Sequence, residues 1–286
     1  MAGKPSSKDG GTFFRLPTRG QLLRTLTLTQ NTSAMAFTIF LVPHLASPVV
    51  AAFAGLDGAE KTMMIARDLY LPLEPIVVYI PLTIHLLSSL GRRLLLSTST
   101  SLSKSVRFPT LPHQIFAYPL AFLLIPHIIT HRLIPSSPAP PIRELSPSEL
   151  GWEFVGYNLQ NWGAWIAYLG LVGAGVWHAL VGGMKVATWL KNLRRRPAKG
   201  DPSNILSTEW KVYPDDKKEC GSDPAPRIIP KPRKLGLRGL IMVLLGVVSI
   251  GLARVTRDTG LVSGMMKRRY DAVFDATPWA NLYRLL

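Results

Sequence analysis

One cysteine, Cys220, stands in the 286 residues. A single thiol excludes a disulfide framework and every cysteine-based metal site. Acidic residues are few, 17 Asp and Glu against 33 Lys and Arg, for a net charge of +16. Charge of either sign is missing altogether from five long stretches: Thr25 to Leu56, Pro75 to Gly91, Phe108 to His131, Phe154 to Met184 and Gly239 to Ala253. No glycine-rich phosphate loop, nucleophile elbow or acidic metal cluster occurs. Glu74 is the one carboxylate at a helix margin, and Pro75 beside it points to helix entry rather than catalysis. Together these absences exclude a soluble globular enzyme. The basic residues flank the apolar stretches, which argues against nucleic acid as the partner.

A bilayer core about 30 Å thick takes roughly 20 apolar residues of helix. Four of the stretches reach that length, and the fifth does so if Arg238 and Arg254 extend their cations to the surface. The fold class is therefore an all-α integral membrane protein with five spans. If the spans alternate in direction, residues 1–32, 88–113 and 185–238 share one side, with 23 basic and 7 acidic residues. Residues 56–74, 131–156 and 252–286 share the other, with 10 of each. The whole net charge thus falls on the N-terminal face, which marks it as the inside face. The first apolar run begins only after Arg24 and continues to spanning length, unlike a cleavable secretory signal. Arg15, Arg19 and Arg24 among leucines fit either a mitochondrial presequence or juxtamembrane anchoring.

The spans repeat. The first reads Ile39-Phe40-Leu41-Val42-Pro43-His44-Leu45 and the third Phe122-Leu123-Leu124-Ile125-Pro126-His127-Ile128. The second carries Ile84-His85-Leu86-Leu87 before Gly91-Arg92-Arg93, and the fourth Trp177-His178-Ala179-Leu180 before Gly182-Gly183-Met184-Lys185. Parallel repeats of this kind imply a pseudo-twofold four-helix bundle, built of two two-helix repeats, with a fifth helix beside it. The organisation is then a basic N-terminal segment (1–32), repeats at 33–96 and 113–190, a basic proline-containing loop (191–236), the fifth span (237–254) and an amphipathic C-terminal segment (255–286). In that last segment Lys267, Arg268 and Arg269 precede Phe274, Trp279 and Tyr283, a pattern suited to the membrane interface.

Four histidines lie inside the spans. His85 and His178 each stand seven positions before a cation, which at 1.5 Å per residue is roughly 10 Å below the inside face. His127 stands five positions before Arg132, roughly 7 to 8 Å below the opposite face, and His44 is its repeat mate. An ionisable group in the membrane is costly and is a candidate functional site by default. Facing pairs of neutral imidazoles can supply both axial ligands of haem b, one or two haems in all. Each ring can instead hydrogen-bond a neighbouring helix. Small residues, Ser88, Ser89 and Gly91 near His85 and Gly173, Gly175, Gly182 and Gly183 near His178, allow close helix approach, and they are also ordinary helix contacts. Arg92, Arg93 and Lys185 stand where propionates near the inside face need counter-charges, or where positive-inside anchoring puts them. His131 and Arg132 at the other boundary suit a second set of propionates or a quinone headgroup. His113, beside Pro112, reads as interfacial. Pro43 and Pro126 should kink their helices just before His44 and His127.

His178, Gly182-Gly183 and Lys185 resemble the haem-ligating helix of succinate dehydrogenase membrane subunits, and the two histidine pairs resemble those of dihaem fumarate reductase anchors. A narrower resemblance runs over about residues 25 to 255. Leu28-Thr29-Gln30-Asn31-Thr32-Ser33, then Phe37, Phe40-Leu41 and His44, then His127 with His131-Arg132 and Pro135, are similar to the fungal mitochondrial outer-membrane family of Mdm-complementing proteins. That resemblance implies a five-span outer-membrane protein with a cytosolic N-terminus. It also implies a role in lipid homeostasis at organelle contact sites, where excess protein rescues loss of the tether between endoplasmic reticulum and mitochondria. The partner implied is a chorein-type bridge lipid-transfer protein, recruited in the family by a Pro-x-Pro motif in the N-terminal tail. Here the tail, with Pro5 and Pro17, has none; Pro224-Ala225-Pro226 and Pro230-Lys231-Pro232 lie instead in the loop after the fourth span. Extended segments of this kind can dock in a groove or serve as linker. Catalytic turnover is not required by this reading. Its rivals are a quinone-linked transmembrane cytochrome b and a haem-free membrane scaffold.

Overall fold

The computed structural model describes residues 17–97, 111–194 and 236–281. Seven α-helices occupy these segments: α1 (Arg19–Tyr70), α2 (Ile80–Ser97), α3 (Pro112–Ile128), α4 (Trp152–Asn158), α5 (Trp162–Arg194), α6 (Leu237–Thr259) and α7 (Gly264–Asp275). Five helices among the described residues are long and apolar enough to cross a membrane, at Arg19–Leu73, Pro75–Ser97, Pro112–Leu133, Trp162–Leu193 and Leu237–Thr259. The chain is an all-α integral membrane protein, and its large outward side chains meet the bilayer: Val42, Phe122, Ile166 and Met242 are each more than half exposed. Pro5, Cys220 and the two Pro-x-Pro segments lie outside the described residues.

Helix α1 begins at a capping box. The Thr18 side chain accepts from the Gln21 backbone N–H, and the Gln21 side chain accepts from Thr18 N–H. The sequence places a polar segment after Leu56, but the helix resumes there and runs on to Tyr70. The interruption in α1 falls at Gly55 (φ 67°, ψ −158°) and not at Pro43. That conformation is open to glycine and strained for any other residue. Straight helix would carry residues 47 and 59 about 18 Å apart. Ser47 Oγ instead donates to the Ala59 carbonyl at 2.7 Å, so the chain doubles back at Gly55. Proline does act elsewhere. A 3-10 turn, Leu71–Leu73, and a π-helical stretch opened by Pro75 (Pro75–Tyr79) lead into α2, and a second π-helical stretch (Ile129–Leu133) closes α3 just past Pro126 and His127. Loss of the proline N–H removes one i→i−4 bond, and widened turns are one way a helix absorbs it.

The chain divides into two compact units: Met1–Leu45 with Ile65–Phe108, and Ala46–Met64 with Pro109–Leu286. In the first, Ala66, Tyr70 and Val77 form a small core with Phe40. In the second there are two cores. Ala51, Ala59, Met63, Trp152, Leu159, Val248 and Val255 join the Gly55 hairpin to α4, α5 and α6. Ile142, Leu145, Leu150 and Phe154 pack on Tyr270, Val273 and Phe274 of α7. The apolar face of α7, expected at the membrane interface, is therefore covered by the loop between α3 and α4. The reason is in the loop, which supplies enough apolar side chains to bury that face against protein.

Candidate functional site

Each intramembrane histidine has a defined setting within its own unit. His85, on α2, places Nδ1 3.2 Å from the backbone carbonyl of Gln30 on α1. A carbonyl only accepts, so Nδ1 carries the proton and Nε2 the lone pair. The Gln30 side chain donates from Nε2 to Ser89 Oγ at 2.9 Å, and Ser89 Oγ donates to the His85 carbonyl at 2.6 Å. Further along the same pair, a side chain at Gly91 would touch Leu26, and Arg19 donates to the Leu95 carbonyl at 3.0 Å. Helix α2 stays regular through Arg92 and Arg93, which keeps the expected spacing from His85. His44 stacks on Phe40, one turn earlier on α1, with ring centroids 4.9 Å apart, and Phe40 meets Tyr70 edge-on at 4.9 Å.

In the second unit His178 on α5 lies flat against His113 at the start of α3, centroids 4.4 Å apart and planes 15° from parallel. Beside them Phe116 stacks on Trp177 at 5.2 Å. Gly182, one turn after His178, makes room for this, since a Cβ there would lie 3.3 Å from His113 Cε1. Gly170 and Gly175 receive Leu123 and Leu120 of α3 in the same way. Gly173 and Gly183 have nothing within 4 Å, so the proposed small-residue surface around His178 serves α3 at some positions only. Lys185 follows on the same unbroken helix. Sequence reasoning set His113 aside as interfacial; the signal for it was Gly182, read there among the small residues that allow close helix approach.

At the other end of α3, the His127 ring lies 4.7 Å from His131 and 6.3 Å, edge-on, from Tyr168. His131 Nε2 pairs with the Tyr168 hydroxyl, which also accepts from Asn158 Nδ2 at 3.4 Å. Phe154 closes the flank of the His131 ring edge-on at 5.2 Å. Arg132 follows within the π-helical stretch. His131 thus spends its Nε2 on Tyr168, a partner that nothing in the sequence pattern announced.

Away from the spans, Arg269 of α7 pairs with the Glu149 carboxylate and donates from Nε to the Ile142 carbonyl at 2.9 Å. Tyr270 donates to the Glu149 carbonyl at 2.8 Å, and Tyr157 donates to Asp271. The Ser146 backbone N–H, and after it the Arg269 side chain, hold the Glu149 carboxyl below the usual carboxylate range against the opposing effect of burial. Burial, together with the carboxylates of Glu153, Glu60 and Glu149, pushes the Tyr270 phenol up. This assembly is a clasp for α7 rather than a site.

Among the histidines, His44 and His85 belong to the first unit and His127 and His178 to the second. The Gln30 carbonyl marks Nδ1 as the protonated nitrogen of the His85 ring. No curated protein and no solved structure matches the chain. Residues 122–257, from the middle of α3 almost to the end of α6, match the family model described as MDM10-complementing protein 1, transmembrane domain.

Proposed function

We propose that this chain is a haem b-binding mitochondrial outer-membrane protein acting in lipid homeostasis at organelle contact sites. The observation that carries the haem reading is the Nδ1–H of His85 held on the Gln30 carbonyl, the kind of outer hydrogen bond that a ligating imidazole makes. His44, His85, His127 and His178 are the candidate ligands that the sequence repeat suggests. Arg92, Arg93 and Lys185 would supply counter-charge for propionates near the inside face, and Arg132 near the other. Bound haem would supply a one-electron centre able to serve as a sensor or as a structural element. The mitochondrial outer membrane, the cytosolic N-terminus and the lipid role draw support from the matched family model and from the motif resemblance together. A chorein-type lipid-transfer protein is the proposed partner, through Pro224, Pro226, Pro230 and Pro232.

The test is an absorption spectrum of the purified full-length protein. A sharp reduced alpha band of bis-histidine haem is expected, with His178→Ala losing one haem and retaining the other. A protein with no Soret band overturns the haem reading. Reduction by a quinol analogue separates a quinone-linked cytochrome from a haem with no turnover.

One observation favours a second reading. The His178 ring lies parallel to His113, as a packing element between α3 and α5 does in a haem-free scaffold.

A further inference from the structure

The chain turns sharply where α6 ends, and the side chains it shows to the outside there are apolar. Gly260 (φ 62°) and Gly264 (φ 64°) bracket the connector Leu261-Val262-Ser263. Val262 turns inward and joins the core that holds α7, with Tyr270, Val273 and Phe274. Leu261 and Met265 do the opposite, at 96% and 65% exposure. Among the described residues after α6, these are the two large apolar side chains left exposed. Held in water, they would forgo the gain that burial gives an apolar group.

The place of the connector decides what meets them. Gln160 donates from Nε2 to the Gly260 carbonyl at 2.9 Å, which ties the end of α6 to the turn before α5. Two residues past Gln160, Trp162 opens the span Trp162–Leu193 with its indole 54% exposed, the residue type that belts a membrane interface. Thr259 closes the span Leu237–Thr259. Leu261 therefore stands at the membrane boundary, beside the ends of two spans. Lys267 and Arg268 follow on the exposed side of α7, a position suited to headgroup phosphates. A protein partner fits less well, since two side chains offer far less than the ~800 Å² per partner of a stable interface.

We propose that Leu261 and Met265 insert into the boundary between headgroups and acyl chains at the face where α6 ends, and that this anchor seats α7 on the membrane. The occupant is phospholipid. The apolar face of α7 then grips the loop between α3 and α4, while its first turn and the connector grip the bilayer. This inference is independent of the haem reading.

The experiment uses the full-length protein in phosphatidylcholine liposomes containing phosphatidylglycerol. Cys220→Ser removes the one native thiol, so that Leu261→Cys or Met265→Cys carries a single NBD dye. Phe122→Cys, on α3 at a side chain 74% exposed, marks the bilayer interior. Lipids spin-labelled high on the acyl chain should quench the dye at 261 and 265, as they do at 122, while iodide in the water leaves it bright. A dye quenched by iodide and untouched by spin-labelled lipid overturns the proposal. A dye reached by neither quencher is covered by protein, a second copy included, and overturns it too. Because the dye is itself apolar, unlabelled protein gives a second reading. Leu261→Asp, at a side chain that the fold does not bury, should speed deuterium uptake over residues 264–268 in liposomes by about threefold and leave the middle of α6 unchanged. Uptake equal to wild type overturns the anchor.

Discussion

Ser47 and Trp152 meet at the centre of the second unit, where the indole Nε1–H donates to Ser47 Oγ at 2.5 Å and Ser47 passes its own proton to the Ala59 carbonyl at 2.7 Å. One hydroxyl therefore bridges the two arms of the Gly55 hairpin and the first turn of α4. Glu60 of the second arm completes the junction by accepting from the backbone N–H groups of Trp152 and Glu153, where the helix has no side-chain cap of its own.

Ser47→Ala should destabilise the protein by about 1–3 kcal/mol, because it strands a buried indole N–H and a carbonyl at once. Ser47→Cys, similar in size and a weaker hydrogen-bonding partner, should fall between. Thermal unfolding in detergent micelles measures this; an Ala variant as stable as wild type would mean that Trp152 is held by packing alone.

Gly55 sets the hairpin itself. A Cβ at this position would sit 2.6 Å from an Asp258 carboxylate oxygen, on a backbone at φ 67°. That carboxylate also accepts from the Leu56 N–H at 3.4 Å, and Arg254 donates to the carbonyls of Ala52 and Phe53. Gly55→Ala should cost about 1–2 kcal/mol from the backbone alone, with more from displacing Asp258. The same unfolding assay checks it, and Gly260→Ala, also at positive φ but with open space around it, should lose only the backbone share.

The five spans were legible because an uncharged run of spanning length has few other readings, and Arg92 and Lys185 kept their spacing from His85 and His178 because α2 and α5 stay regular. The Gly55 hairpin was hidden for a physical reason. Residues 25–56 read as continuous apolar helix, and a single glycine inside such a run marks a turn only once Ser47, Ala59 and Asp258 are seen to surround it. His113 and Tyr168 were hidden likewise, because stacking and a hydroxyl bridge depend on which helix faces which.

The docking of α7 should depend on pH with a definite sign. Glu149 is held below the usual carboxylate range in the folded chain, so its contribution is complete above the unfolded value and is lost as pH falls through the depressed one. Release of α7 should therefore begin in the acid range and not near neutrality. Arg269→Ala removes the ion pair and the bond to the Ile142 carbonyl together and should weaken docking by about 1–2 kcal/mol at neutral pH. Limited proteolysis within residues 264–275 reads both effects. Arg269→Ala should also flatten the acid dependence, since the ion pair is then gone at every pH.

The stacked imidazoles of His113 and His178 allow the two functional readings to be separated by mutation. If the pair only packs α3 on α5, the two rings are equivalent partners, and His113→Ala and His178→Ala should lower stability by similar amounts with no spectroscopic consequence. If His178 ligates haem, the equivalence breaks. His178→Ala loses a haem, whereas His113→Ala loses the stacking partner and keeps the ligand, so the spectrum survives while the unfolding temperature falls. Gly182→Val supplies the control, because a side chain there presses on His113 Cε1 from 3.3 Å without touching the imidazole of His178 in sequence or chemistry. It should reproduce the His113→Ala phenotype. A Gly182→Val protein that lost the same haem as His178→Ala would instead show that His113 holds the ligand ring in place and that stacking and ligation are one function.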